Sequence, residues 1–225
     1  MADVQPEVET TVRNHWWWRP GWRTGRHFYA CHFTLDDQPQ LRALVRQYQD
    51  AMADLPYLDL IPARWLHVTM QGIGFTDEIR TADLAAVTDR LEERLRSMKA
   101  PVATFHRPVI HPEAVLLEAD PPEPLYQLRL AMYETIAAVL GPDKFTEPRP
   151  QPGQFKPHVS AAYVNNDGPV KPIAEAIMNT DPEPVTVTFK QASLLVFHRD
   201  HRMYEWTKAT PLPIGATSSP GCSPG

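Results

Sequence analysis

Apolar positions along the chain change period several times, and each change marks an element. Phe28 to Leu35 is a compact apolar run without a helical stripe and predicts a strand. Asp36-Asp37-Gln38-Pro39 then offers N-cap residues and a proline near a helix start. Leu41, Leu44, Val45 and Tyr48 follow at helical spacing, with Met52 extending the stripe. Pro56 and Pro62 mark an irregular crossing to an alternating segment, Leu66 to Met70. Thr76 to Ile79 reads as a turn, and Leu84, Val87, Leu91, Leu95 and Met98 form the apolar stripe of a helix ending near Lys99. Val102 to Phe105 and Ala114 to Leu117 predict strands, separated by Arg107-Pro108 and His111-Pro112. Glu123 to Leu140 is helical by its spacing and stops at Gly141-Pro142.

The proline-rich stretch from Glu147 to Pro157 leads into a second alternating segment, Pro157 to Ala161. Lys171 to Met178 predicts a short helix. Val185 to Phe189, Ser193 to His198 and Met203 to Trp206 predict three strands. The first alternates Val185, Val187 and Phe189 with Thr186 and Thr188, the pattern of a half-buried strand. This order predicts an α+β fold in which two antiparallel-rich sheets face each other across a cleft, with helices outside. Residues 13–210 are expected to form one bilobed domain. Residues 1–12, polar and aperiodic, are expected to be a flexible leader, and the Pro/Gly/Ser-rich residues 211–225 a disordered tail.

The two alternating segments share a form: apolar, His, apolar, hydroxyl, apolar. The first is Leu66-His67-Val68-Thr69-Met70 and the second Pro157-His158-Val159-Ser160-Ala161. Residues two apart in a strand lie on one face, roughly 6.5–7 Å apart. His67 would then share a face with Thr69, and His158 with Ser160. Two such strands brought together hold two imidazoles and two hydroxyls around one point. Imidazole gives or takes a proton near neutrality, and hydroxyls hydrogen-bond phosphate oxygens. A third triplet, His32-Phe33-Thr34, has the same form in a strand-like run and reads equally as an ordinary part-buried histidine.

These motifs resemble the signature of the two-histidine phosphoesterase superfamily, which includes bacterial 2′–5′ RNA ligases and cyclic phosphodiesterases. The run His67-Val68-Thr69-Met70-Gln71-Gly72-Ile73-Gly74 ends on the glycine usual there, but Gly72 stands where a bulky residue is common. Phe155-Lys156-Pro157-His158-Val159-Ser160 has the aromatic and proline that often precede the second motif. The resemblance implies a bilobed fold and, over about residues 26 to 209, metal-independent chemistry on 2′,3′-cyclic phosphates or 2′–5′ phosphodiesters without a cofactor. His67 and His158 would be the acid/base pair and Thr69 and Ser160 the phosphate ligands. Lys156 is a candidate for added positive charge, or else a surface lysine. Tyr163 and Phe75 are candidate base-stacking walls by analogy with family clefts, against ordinary core packing.

Composition narrows the alternatives. The formal net charge of −5 argues against a broad nucleic-acid-coating face and permits a small anionic substrate in one pocket. Residues 13 to 27 carry Arg13, Arg19, Arg23 and Arg26 interleaved with Trp16, Trp17, Trp18 and Trp22, with no acid among them. Such a segment either stacks bases and steers phosphates, with Trp18 a possible contact, or plugs the sheet end while its arginines reach water. There is no long apolar run, no secretory signal pattern at the start, and only Cys31 and Cys222, so a cytoplasmic protein away from membranes is expected. His106 and His111, and His198 with His201, lack further ligands at zinc-like spacing. Neither a phosphate-binding GK[ST] loop nor a G-x-S-x-G elbow is present. The expected partner is an RNA end or a nucleotide-like small molecule, with no obligate protein partner inferred. The rival readings are an enzyme of the same fold recruited to a specialised small-metabolite reaction, and a non-catalytic RNA- or nucleotide-binding module.

Overall fold

The two histidine segments become neighbouring antiparallel strands at the centre of the molecule. The structure, a computed structural model, describes residues 10–141, 144–145 and 147–215. The strands are β1 (Thr11–Val12), β2 (Phe28–Thr34), β3 (Leu58–Leu60), β4 (His67–Phe75), β5 (Val102–Phe105), β6 (Val109–His111), β7 (Ala114–Asp120), β8 (His158–Val164), β9 (Gly168–Pro169), β10 (Val185–Thr188), β11 (Gln191–His198) and β12 (Glu205–Pro213). The helices are α1 (Pro39–Ala51), α2 (Thr81–Arg96), α3 (Glu123–Leu140) and α4 (Val170–Met178), with one 3-10 turn at Ala63–Trp65 just before β4.

The main sheet runs β10-β5-β7-β8-β4-β2-β11-β12, with β3 added beside β8 and β6 beside β7, and every pairing is antiparallel. This is the expected α+β architecture with two antiparallel halves. The halves, β10-β5-β7-β8 and β4-β2-β11-β12, join through a single ladder pair, Val68 with Val159. Both valines are fully buried, so their faces look into the core and the opposite faces of β4 and β8 look into the cleft. The helices interlock the halves. α1 follows β2 yet packs on β8 and β10, while α3 follows β7 yet packs on β4. One continuous core results, with Phe33 stacked on Phe189 at 4.3 Å.

Helix α3 spans the stretch its apolar spacing predicts. Pro124 sits in its first turn, and Gly141, at φ 79°, supplies the backbone that ends it. Other boundaries differ from the sequence reading. β12 continues through Pro211 and Pro213 because it is an edge strand, where a missing N–H costs no ladder bond, and Ile214 is buried after it. At the other end Thr11–Val12 pairs with Gly168–Pro169, with Val12 in the core. The rest of the expected leader and tail, residues 1–9 and 216–225 with Cys222, lies outside the described residues. Strands β3 and β6 carry no readable period, being three residues each and set among prolines. Among the described residues no helix is long and apolar enough to cross a membrane.

Candidate active site

Strand register builds the site. Val68 lies opposite Val159, so one step along the antiparallel register puts His67 beside Ser160 and Thr69 beside His158. The two imidazoles occupy one diagonal of this square and the two hydroxyls the other, about 7–8 Å apart along each. All four side chains line one cleft of about 930 Å³.

Each imidazole is held the same way. His67 Nδ1 lies 2.8 Å from the Trp65 carbonyl oxygen, and His158 Nδ1 lies 2.8 Å from the Lys156 carbonyl oxygen. A carbonyl only accepts, so both Nδ1 atoms carry the proton and both Nε2 atoms are left with free lone pairs. The chain turns that precede the strands, the 3-10 turn at Ala63–Trp65 and Pro157, bring these carbonyls back toward the rings.

Burial sets the protonation. It lowers His67 to about 4, helped by the neighbouring His158 and opposed by the Trp65 carbonyl. His158 is also lowered, chiefly by burial and further by His111, while the Lys156 carbonyl and the Glu118 carboxylate oppose the shift. Glu118 is the cross-strand partner of His158. His67 therefore stays neutral more readily, and His158 has the anion that favours its protonated form.

His32 joins this group. It lies opposite Thr69 on β2, is 4 % exposed, and meets His67 edge to face with ring centroids 4.8 Å apart. Its Nδ1 is buried without a hydrogen-bond partner, and burial, seconded by His67, holds its pKa well below the usual histidine value. Lys156 is among the residues lining the cleft and holds His158 through its main chain. Tyr163 also reaches the cleft, against simple alternation. The register shift between Val115 and Leu116 leaves Ala161 as an extra residue on β8, so Tyr163 returns to the face of Ser160. There it stacks on His15 at 4.4 Å, and burial keeps its phenol protonated.

Two expected contacts lie elsewhere. Phe75 is packed among Trp22 and Phe28 with the Arg26 guanidinium 3.6 Å over its ring, so it is not a cleft wall. Trp18 is half exposed and is not among the cleft-lining residues. Gly72, the departure from the family pattern, leaves space that Glu147 and Phe28 fill: a Cβ there would lie 3.0 Å from Glu147 Oε1.

Glu118, Arg129, His15 and Tyr204 line the cleft without having been expected there, and Arg19, one of the arginines of the Trp-rich segment, lines it too. Arg129 on α3 lies over the Phe155 ring at 4.5 Å and donates to Gln71 Oε1 at 3.3 Å. Its one sequence signal is a cation within an apolar helix face, between Leu128 and Met132. Tyr204 and His15 meet through Oη and Nε2 at 3.2 Å. Nothing in the sequence brings these two together.

A sequence profile of the 2′-5′ RNA ligase superfamily matches residues 24–201, a span that holds both histidine strands. The chain belongs to this superfamily. No curated protein sequence matches the chain significantly. Among solved structures, TT0787 of Thermus thermophilus is similar with a TM-score of 0.58 at 19% identity, covering 83% of this chain and 97% of that one. E. coli LigT complexed with NADP+ gives 0.54 at 15% identity over 83% and 97%. The same protein complexed with 3′-AMP gives 0.53 at 14% identity over 83% and 96%. At these identities the likeness is one of fold. His15, Arg19 and Trp22 precede the stretch matched to the superfamily and still line the cleft.

Proposed function

We propose that this superfamily member opens 2′,3′-cyclic phosphates of nucleotides or RNA ends to 2′-phosphates, or makes and breaks 2′–5′ phosphodiesters, by acid–base catalysis between His67 and His158. The observation that carries this reading is the matched anchoring of the two imidazoles, each with Nδ1 fixed on a carbonyl and Nε2 free on one face. His67 takes a proton from the attacking water as its oxygen bonds to phosphorus. The P–O3′ bond breaks, and His158 gives its proton to the departing 3′ oxygen. Each transfer contributes about 10²–10⁴ in rate. Thr69 and Ser160 hydrogen-bond the non-bridging oxygens and keep the ester in line between the rings. Lys156 and Arg129 add positive charge to the same cleft. Similarity to a protein crystallised with 3′-AMP and with NADP+ supports a nucleotide-like ligand.

The test is hydrolysis of a panel of 2′,3′-cyclic mononucleotides in EDTA, with the product isomer identified. The expected product is the 2′-phosphate. Because His158 must be protonated and its pKa lies below the usual 6.5, kcat/KM should fall as pH rises from about 6 to 8. A rate that climbs over this range would reject the assigned acid. Ser160→Ala should lower kcat/KM by about 10–100-fold, the worth of one hydrogen bond to a charged oxygen. An unchanged value would remove Ser160 from the phosphate site.

A second reading is supported by His15, Arg19 and Trp22, which reach the cleft from outside the stretch matched to the superfamily. They favour a specialised ligand over generic cyclic nucleotides. Turnover confined to one metabolite class would select this reading, and binding that survives loss of both histidines would select a non-catalytic module.

A further inference from the structure

On the sheet face opposite the cleft, the β11–β12 hairpin gathers nitrogen and carboxylate donors that the proposed reaction does not use. His198 and Glu205 are direct cross-strand partners. Phe197 and Tyr204, their chain neighbours, line the cleft, so His198 and Glu205 point away from it. Directly opposite residues have Cβ atoms about 4.5–5.5 Å apart, which is fixed by the backbone before any side chain rotates. The turn between the strands then returns His201 over the pair. Arg202, at φ 56°, supplies the left-handed step that reverses the chain. His201 Nδ1 comes to 2.6 Å from Glu205 Oε2. One donor atom from each of His198, His201 and Glu205 lies within 4.8 Å of the other two.

We propose that His198, His201 and Glu205 bind a zinc-like divalent transition-metal ion. Two imidazoles and one carboxylate, with a fourth position for water, match the ligand types and number of a tetrahedral zinc site. Zinc bond lengths of about 2.0–2.2 Å place tetrahedral donors roughly 3.3 Å apart. The donors here close to that spacing by rotation of His201, whose side chain is 75% exposed and free to move. The short His201–Glu205 contact opens slightly as the metal takes its place between the two groups.

The surroundings of the site favour a metal. Asp200 lies 3.7 Å from His198 Nδ1 and is itself held by the Gly25 N–H at 3.1 Å. The Asp200 N–H also lies 3.4 Å from that nitrogen, so Asp200 holds the ring through its main chain and places a fixed negative charge beside the three donors. His27, whose ring centre is 5.2 Å from that of His198, stands next in the row across the sheet. The consequence reaches the cleft, since the hairpin also carries Tyr204, which touches His15, and Arg202, which donates to the Asn165 carbonyl at 2.9 Å. A bound ion clips this hairpin and with it one wall of the cleft.

The experiment uses the full chain, first freed of metal with a chelator, and reads binding rather than turnover. Zn²⁺ is titrated calorimetrically, and Co²⁺ is followed by its visible absorption. One equivalent is expected to bind, with the intense bands of four-coordinate cobalt. His201→Ala, an exposed change that leaves the fold intact, and Glu205→Gln should each weaken binding at least about tenfold. His67→Ala should leave it unchanged. The proposal is overturned if neither ion binds saturably, or if binding is indifferent to His201→Ala and Glu205→Gln. Loss in His67→Ala alone would also overturn it, because the ion would then belong to the cleft.

Discussion

Replacing either His67 or His158 by alanine is expected to lower turnover of a 2′,3′-cyclic nucleotide by about 10²–10⁴, with the fold retained. Neither ring is a keystone of the core. Each stands on the cleft face with only its Nδ1 committed, to a carbonyl two residues earlier. The two variants should differ in one informative way. If His158 is the acid, a substrate whose leaving group departs as a stable anion, such as a nitrophenyl phosphodiester, needs no proton from it. His158→Ala should then recover much of its rate on that substrate, while His67→Ala remains slow because the attacking water still needs a base. The reverse pattern would exchange the roles, and full activity in either variant on the cyclic nucleotide would dismiss the pair as the catalytic centre.

The elements were legible where a period persisted long enough to be read. Leu125, Leu128, Met132, Ile136 and Val139 fix α3, and the alternation around His67 and His158 fixes the two central strands and the face each histidine takes. What the sequence withheld was register. That Glu118 lies opposite His158, and Thr69 opposite His32, depends on how strands far apart in the chain slide against each other. Bulges add a second difficulty. Ala161 shifts the parity of β8, so Tyr163 reaches the cleft although alternation from Ser160 would turn it away. Composition misled at the C-terminal end, where Pro211 and Pro213 look like a disordered tail and yet lie in an edge strand. The same limits hid the hairpin site, because His198 and His201 acquire Glu205 only through the β11–β12 pairing and the turn at Arg202.

Stability should fall steeply as the pH drops below about 6.5, well before the carboxylates titrate. His15 is 7% exposed and held down to about 3 by burial and by Arg19 and Arg199, and His32 is 4% exposed and held well below 6.5 by burial. In the unfolded chain both return to about 6.5. Below that value the unfolded state binds protons that the folded state refuses, so the stability these rings contribute is complete above 6.5 and is lost as pH falls. A buried histidine of this kind costs up to roughly 1.4 kcal/mol per pH unit below its unfolded value, so His15 alone removes about 2 kcal/mol by pH 5, and His32 and the similarly depressed His67 add loss in the same direction. Together these losses are a large share of a typical domain's stability of about 5–15 kcal/mol. Asp83, held down to about 2 by Arg80 and Lys144, acts in the same direction only at lower pH. Urea unfolding measured from pH 7.5 to 4.5 should show this loss, and His15→Phe, which keeps a ring against Tyr163 but cannot be protonated, should flatten the slope. A stability that stays level across the range would mean these imidazoles take up protons in the folded state. The same window bears on catalysis. The protonated His158 that the proposed reaction requires accumulates as pH falls, in the range where His15 and His32 begin to unfold the cleft around it, so on that proposal the working optimum is set by the competition between the two.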